Sequence, residues 1–225
     1  KQDREPLSIS KLAPIRARIA VAQDQAFCFT YAETLEALRD AGAELVPFSP
    51  MQDSRLPENI CGLYLPGGYP ELYARQLSSN CKIREAIREA VCAGLPTVAE
   101  CGGFLYLGQS LQADTGEVWP MAGVLPGDGV RKEKLVRFGY ACLTAQDDSL
   151  LFTKGESIPI HEFHYWDSTE NGTSFRAEKP VTGRTWMCGF AGPSLYAAFP
   201  HLYFAANPVW AKRFVQAAAQ YQKEK

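Results

Sequence analysis

Residues 96–111, PTVAECGGFLYLGQSL, hold the arrangement in this sequence best suited to nucleophilic chemistry. A strand that turns sharply into a helix, with a nucleophile at the corner, has a tight, strained backbone and needs small neighbours. Gly102 and Gly103 meet that need after Cys101, and Ala99 sits two residues before it. At a helix start a thiol faces unpaired N–H groups that favour thiolate, and the Gly102 N–H would supply half of an oxyanion hole. Taken alone, the segment has a plain alternative, a buried and inert cysteine at a glycine turn.

A second segment, LYLPGGYPE at 63–71, shifts the balance. It ends the preceding predicted strand, and in a parallel sheet the C-terminal ends of neighbouring strands face one crevice. Gly67 and Gly68 can present backbone N–H groups there without side-chain interference. The nucleophile also needs a base, and the histidines are His161, His164 and His201. Read as a strand, IPIHEFHYWD puts His161, Phe163 and Tyr165 on one face and Glu162, His164 and Trp166 on the other. That alternation argues against one metal held by both histidines, and the spacing is not H-E-x-x-H. Residue types alone leave all three histidines open as the base.

These groups need a scaffold, and the first half of the chain predicts one. RIAVAQ, ELVPFS, ICGLYLPGG and PTVAE read as strands. TYAETLEALRDAG reads as a helix with a Thr30–Glu33 capping box, an apolar face of Leu35 and Leu38, and Gly42 as its stop. CKIREAIREAVCAG places Ile83, Ile87 and Val91 four apart and ends at Gly94, and FLYLGQSL reads as the helix after Cys101. Strand and helix in alternation predict an α/β fold with a mostly parallel sheet covered on both faces. From MAGVLPGDGV to SLYAAFPHLYFA the runs are short and β-like, with a hairpin expected at Asn171-Gly172, and would extend the sheet with antiparallel strands. A last helix begins with Asn207 as cap and Pro208 in its first position. Residues 1–16 read as a linker or tail, and 17–225 as one domain.

Composition excludes several classes. The 225 residues are 46% hydrophobic and 21% charged with a formal charge of −2, which gives no bias towards nucleic acid or an anionic membrane. No apolar run reaches membrane-spanning length, and KQDREPLSIS is not a signal peptide. Seven cysteines with no C-x-x-C pair suit reduced thiols in the cytoplasm rather than a disulfide framework or a zinc ribbon.

PGGYPE, AECGG and HEFHY, in that order along the chain, resemble the glutamine amidotransferase domain of cobyrinic acid a,c-diamide synthases. GAELVPFSP, LSSN and GVLPG fit the same pattern, and the likeness runs from RIAVAQDQAFCFTY to HLYFAANP. The resemblance implies a flavodoxin-like class I (triad-type) glutaminase fold. It implies Cys101 as nucleophile, His201 as its base, and Gly68 and Gly102 at the oxyanion positions, with Gly67 beside them. Tyr69, His161 and Glu162 are expected to line the pocket or support it, with no metal ligands among them. Tyr203 stands where many triad glutaminases have a glutamate two residues after the histidine, so the third member is missing and another group must orient His201. Ile160 and Tyr203 also depart from the glycine and histidine common in the family at those positions.

The resemblance further implies a missing N-terminal ATP-dependent synthetase domain that uses magnesium, receives ammonia and binds the corrin substrate. This chain has no G-x-x-x-x-G-K-[ST] phosphate loop, so no cofactor is expected in the domain itself. The alternatives are a cobyric acid or nickel-sirohydrochlorin type amidase, a non-catalytic docking half, or another cysteine hydrolase of the flavodoxin-like superfamily. The last usually brings a glutamate from an early strand, where this chain has Gln23 and Asp24.

Overall fold

Apolar runs too short for helices become the strands of a central sheet. The computed structural model describes residues 17–224, so the linker expected at 1–16 lies outside the described residues. In chain order the first half folds as β1 (Ala17–Ala22), α1 (Ala32–Asp40), β2 (Ala43–Phe48), β3 (Gly62–Leu65), α2 (Ala74–Ser79), α3 (Cys81–Cys92), β4 (Thr97–Glu100) and α4 (Gly102–Leu107). The second half is mostly strand: β5 (Ser110–Gln112), β6 (Val118–Pro120), β7 (Asp128–Arg131), β8 (Arg137–Ala145), β9 (Ser157–His164) and β10 (Trp166–Ser168). β11 (Phe175–Glu178), β12 (Thr185–Cys188), β13 (Phe190–Gly192) and β14 (Leu195–Ala198) follow, and α5 (Pro208–Glu224) closes the described chain.

Six strands form the central sheet in the order β13-β14-β4-β3-β1-β2. All its pairings are parallel except that of β13 with β14. Apolar side chains cover both faces. One face packs α5 (Trp210, Phe214, Ala218), Leu38 of α1 and the inner side of β8, β9 and β11 against Ile19, Tyr64 and Val98. The other packs α2, α3 and α4 against Ala20, Leu63, Leu65 and Ala99. On α3 the spacing-four stripe of Ile83, Ile87 and Val91 is buried as predicted, at about 1.5–3 kcal/mol for each such side chain. Gly42 and Gly94 follow the ends of α1 and α3 at positive φ, where a Cβ would be strained.

Several expectations need correction. α1 starts after Tyr31, and no side chain caps it, so the Thr30–Glu33 box does not form. The helix after Cys101 ends at Leu107, and Ser110–Gln112 is a strand, because the carbonyl of Gly127 takes the Gln109 N–H and pulls the chain alongside β7. Of the later strands, β14 joins the central sheet in parallel and β13 extends it as the expected antiparallel edge, whereas β5 to β12 form two separate four-stranded sheets, β10-β7-β5-β6 and β12-β11-β8-β9. Asn171-Gly172 is therefore no hairpin turn; it links β10 of one sheet to β11 of the other. Asn207 does cap α5, with its Oδ1 accepting the Val209 N–H at 3.1 Å. Among the described residues no helix is long and apolar enough to cross a membrane, and all seven cysteines are free.

Candidate active site

Parallel pairing brings the chemistry together. β14 lies beside β4 with Ala198 opposite Glu100, and the Cys101 N–H donates to the Ala198 carbonyl at 2.8 Å. The chain leaving β14 therefore passes directly over the end of β4, and His201 arrives three residues later. β3 flanks β4 on the other side and delivers Gly67 and Gly68 to the same crevice.

Cys101 has φ 49° and ψ −101°, and among the described residues only it and Asn59 are non-glycines at positive φ. This is the strained corner expected of a nucleophile elbow. The thiol is 9% exposed. The glycines around it are required by close packing. A Cβ on Gly102 would lie 2.9 Å from Pro70 Cδ and 3.1 Å from the Gly68 amide nitrogen. A Cβ on Gly68, at φ +155°, would overlap the Ala26 carbonyl, and one on Gly103 would overlap that of Leu65. Gly102 opens α4, so its N–H has no acceptor within that helix. α4 spans only six residues, so its dipole is small and the local amides matter more.

Gly67 has a different task. A Cβ there would lie 2.6 Å from His201 Cε1, so its absence makes room for the imidazole. The His201 ring is 7% exposed, packs edge-on against Phe29 with centroids 4.8 Å apart, and its backbone N–H donates to the His161 carbonyl at 3.2 Å. The Tyr196 hydroxyl fixes the preceding turn by donating to the Pro200 carbonyl at 3.2 Å. Burial acts to lower the His201 pKa, but interactions with the Cys101 sulfur and the Glu100 carboxylate outweigh it and push it up to about 10. Of the three histidines left open by residue type, His201 is the one beside Cys101.

Glu100 was not singled out by sequence reasoning, which read PTVAE only as a buried strand. Its carboxylate is 2% exposed and lies 3.8 Å from His201 Nδ1. The one signal was a charged residue at the end of an otherwise uncharged buried strand, which needs a partner wherever it lands.

A cavity of about 200 Å³ opens onto the pair, lined by Phe29, Gly68, Tyr69, Cys101, His161, Phe163 and His201. A smaller lobe of about 70 Å³ continues past Gly102 to Glu71 and Trp166. Burial pushes the Glu71 carboxyl up to about 7. Larger clefts exist, such as the one of about 580 Å³ beside Arg131 and Trp166, but Cys101 does not line it.

His161 and Glu162 separate as strand alternation requires. His161 faces the cavity, and burial followed by the charges of His201 and Lys179 lowers its pKa. Glu162 points to the other side of β9, only 1% exposed, and so takes the supporting role of the two expected for it rather than lining the pocket. It sits 3.2 Å from His164 Nε2 and 3.8 Å from Arg137 Nε. His164 stacks flat on Phe199, with centroids 3.9 Å apart. This buried group ties β9 to the segment that carries His201.

Comparison with known proteins places the chain in a family and agrees with its fold. Residues 18–209 match the model of the CobB/CobQ-like glutamine amidotransferase domain. The cobyrinate a,c-diamide synthase of Caldanaerobacter subterraneus subsp. tengcongensis is 39% identical over 93% of this chain and 47% of its own length. The chain spans about half the length of the curated relatives it matches. Among solved structures, one of PurLQS from Thermotoga maritima superposes with a TM-score of 0.60 at 18% identity, covering 91% of this chain and 98% of that one. A glutamine amidotransferase gives a TM-score of 0.60 at 18% identity, covering 89% and 98%. At that identity the likeness establishes the α/β fold.

Proposed function

The chain belongs to the CobB/CobQ-like glutamine amidotransferase domain family, and from that premise we propose that it hydrolyses glutamine through a Cys101 thioester and supplies ammonia to an ATP-dependent synthetase domain. The observation that carries the reading is the pairing of a strained nucleophile at the end of β4 with His201 held over it from β14.

In the proposed mechanism the Cys101 thiolate attacks the side-chain carboxamide carbon of glutamine, forming a C–S bond. The amide N–H groups of Gly68 and Gly102 receive the oxyanion; such donors act on charge that develops only in the transition state. His201 then donates its proton to the nitrogen as the C–N bond breaks, and ammonia leaves. The neutral imidazole next takes a proton from water, which attacks the thioester, and glutamate departs with Cys101 restored. Tyr69, Phe29 and Phe163 wall the cavity and limit water, and neutral His161 adds a polar surface without a competing positive charge.

Transfer of ammonia to carboxylates a and c of a corrin precursor, with ATP and magnesium, is proposed for the partner domain. The relatives' greater length and their identity as cobyrinate a,c-diamide synthases support that assignment. Among the described residues there is no cluster of three or more His, Cys, Asp and Glu side chains suited to a metal ion, and no step above uses one. The test is glutamate release from glutamine by this chain with and without a synthetase domain, alongside Cys101→Ala. Wild-type release abolished in the folded variant supports the proposal; equal release from both overturns it.

A further inference from the structure

We propose that Glu100, the residue immediately before the nucleophile, is the positioning acid of this site and replaces the carboxylate that triad glutaminases carry two residues after the histidine. The proposal rests on the glutaminase reading above and deepens it.

The position two residues after His201 is occupied by Tyr203, which cannot supply a carboxylate. Its ring turns outward, 40% exposed, and packs edge-on against Tyr31 with centroids 5.4 Å apart. Among the described residues, Glu100 is the carboxylate within ion-pair distance of His201, at 3.8 Å from Nδ1. Three contacts fix it there. Oε1 accepts the Leu202 N–H at 3.1 Å, Oε2 accepts the Tyr64 hydroxyl at 3.1 Å, and the same Oε2 faces the imidazole. The carboxylate thus grips the base twice, through the peptide N–H that follows it and through its ring.

Burial explains why this group has a role beyond packing. A carboxylate removed from water costs several kcal/mol unless a positive charge and hydrogen bonds compensate. Two donors are present, and the charge that completes the set is protonated His201. With Nδ1 held towards Glu100, the opposite nitrogen is left for the Cys101 sulfur, which is the tautomer and orientation a general acid–base needs. A triad is defined by geometry and roles, not by position in the chain. Here the acid comes from the nucleophile's strand instead of the base's loop. The register of β4 against β14, with Glu100 opposite Ala198, makes that exchange sterically direct.

The test compares wild type with Glu100→Gln and Glu100→Asp, reading both kcat/KM for glutamine against pH and the titration of His201 by imidazole nitrogen NMR. Glutamine keeps the shape and removes the charge. A hydrogen bond to a charged group sets the expected loss in kcat/KM at about 10- to 100-fold. His201 should titrate at lower pH, with the alkaline limb of the rate profile moving the same way, and Glu100→Asp should fall between. A folded Glu100→Gln with the wild-type profile and an unmoved His201 titration overturns the proposal, because a merely structural role shifts neither. If Glu100→Gln does not fold, Tyr64→Phe decides. It strips the other donor from Oε2 and should raise the pH at which His201 titrates; no change overturns the proposal. NMR needs no turnover, so the two readings separate. A chain without glutaminase activity whose His201 still responds to Glu100 fails the functional reading alone. An active chain whose His201 ignores Glu100 fails this one alone.

Discussion

The Cα of Gly67 faces the edge of the His201 imidazole so closely that a methyl group there would lie 2.6 Å from Cε1. The histidine has little room to retreat, since Phe29 packs against the ring and Glu100 holds the following amide. Gly67→Ala should therefore cost about 1–3 kcal/mol in stability as an overpacked site. It should lower glutaminase kcat/KM at least about tenfold, the rate equivalent of 1.4 kcal/mol. Denaturant unfolding and steady-state kinetics on the same variant check both numbers.

Gly102→Ala tests the oxyanion site separately. The added methyl would press on Pro70 and on the Gly68 amide nitrogen. Loss of one oxyanion donor typically costs about 10²–10³ in turnover. The expected outcome is a fall of that order in kcat with KM within a few-fold of wild type, because ground-state binding does not use the donor. A change confined to KM would remove the oxyanion role from these glycines.

Reactivity should depend on the shape of the reagent. Cys28, Cys81 and Cys92 are exposed, whereas Cys101 is buried at the base of its cavity. A small general alkylating agent should modify the three exposed thiols first. An electrophile built on glutamine should instead modify Cys101 first, and glutamine should protect against it. Peptide mapping by mass spectrometry distinguishes the two patterns, and preferential labelling of Cys81 or Cys188 by the glutamine mimic would remove Cys101 from its assigned role.

The His201 proton sets a pH window for stability. Its folded pKa is raised to about 10, against about 6.5 for an unperturbed histidine. The folded state therefore binds this proton more tightly than the unfolded chain. The stabilisation is complete below about pH 6.5, declines as pH rises, and is gone above about 10. The difference in unfolding free energy between wild type and His201→Asn should shrink across that window. Glutaminase activity should likewise fall on its alkaline side near the upper end, where the acid for the departing ammonia is lost.

Sequence patterns revealed the first half of the fold because local rules govern it. Ile83, Ile87 and Val91 occupy one stripe wherever α3 packs, and Gly42 and Gly94 end their helices by backbone conformation alone. The second half obeys no such rule. Strands of three or four residues, such as β10 and β11, join different sheets according to distant partners, so Asn171-Gly172 offered a turn signal that the topology spent on a crossover between sheets. The site divides the same way. Cys101 and its glycines were legible because the elbow is a local device. Glu100 was not, because its value depends on Leu202 and His201, about a hundred positions away, and no spacing encodes which buried carboxylate a parallel register will bring to a histidine.

That register also bears on the order in which the site is assembled. β4 and its cysteine are in place early in the chain, but β5 to β13 intervene before β14 can dock beside β4 and carry the histidine in. Contacts of such sequence separation close late in folding. A chain in which β14 has not yet docked therefore holds the Cys101 thiol without the His201 imidazole beside it.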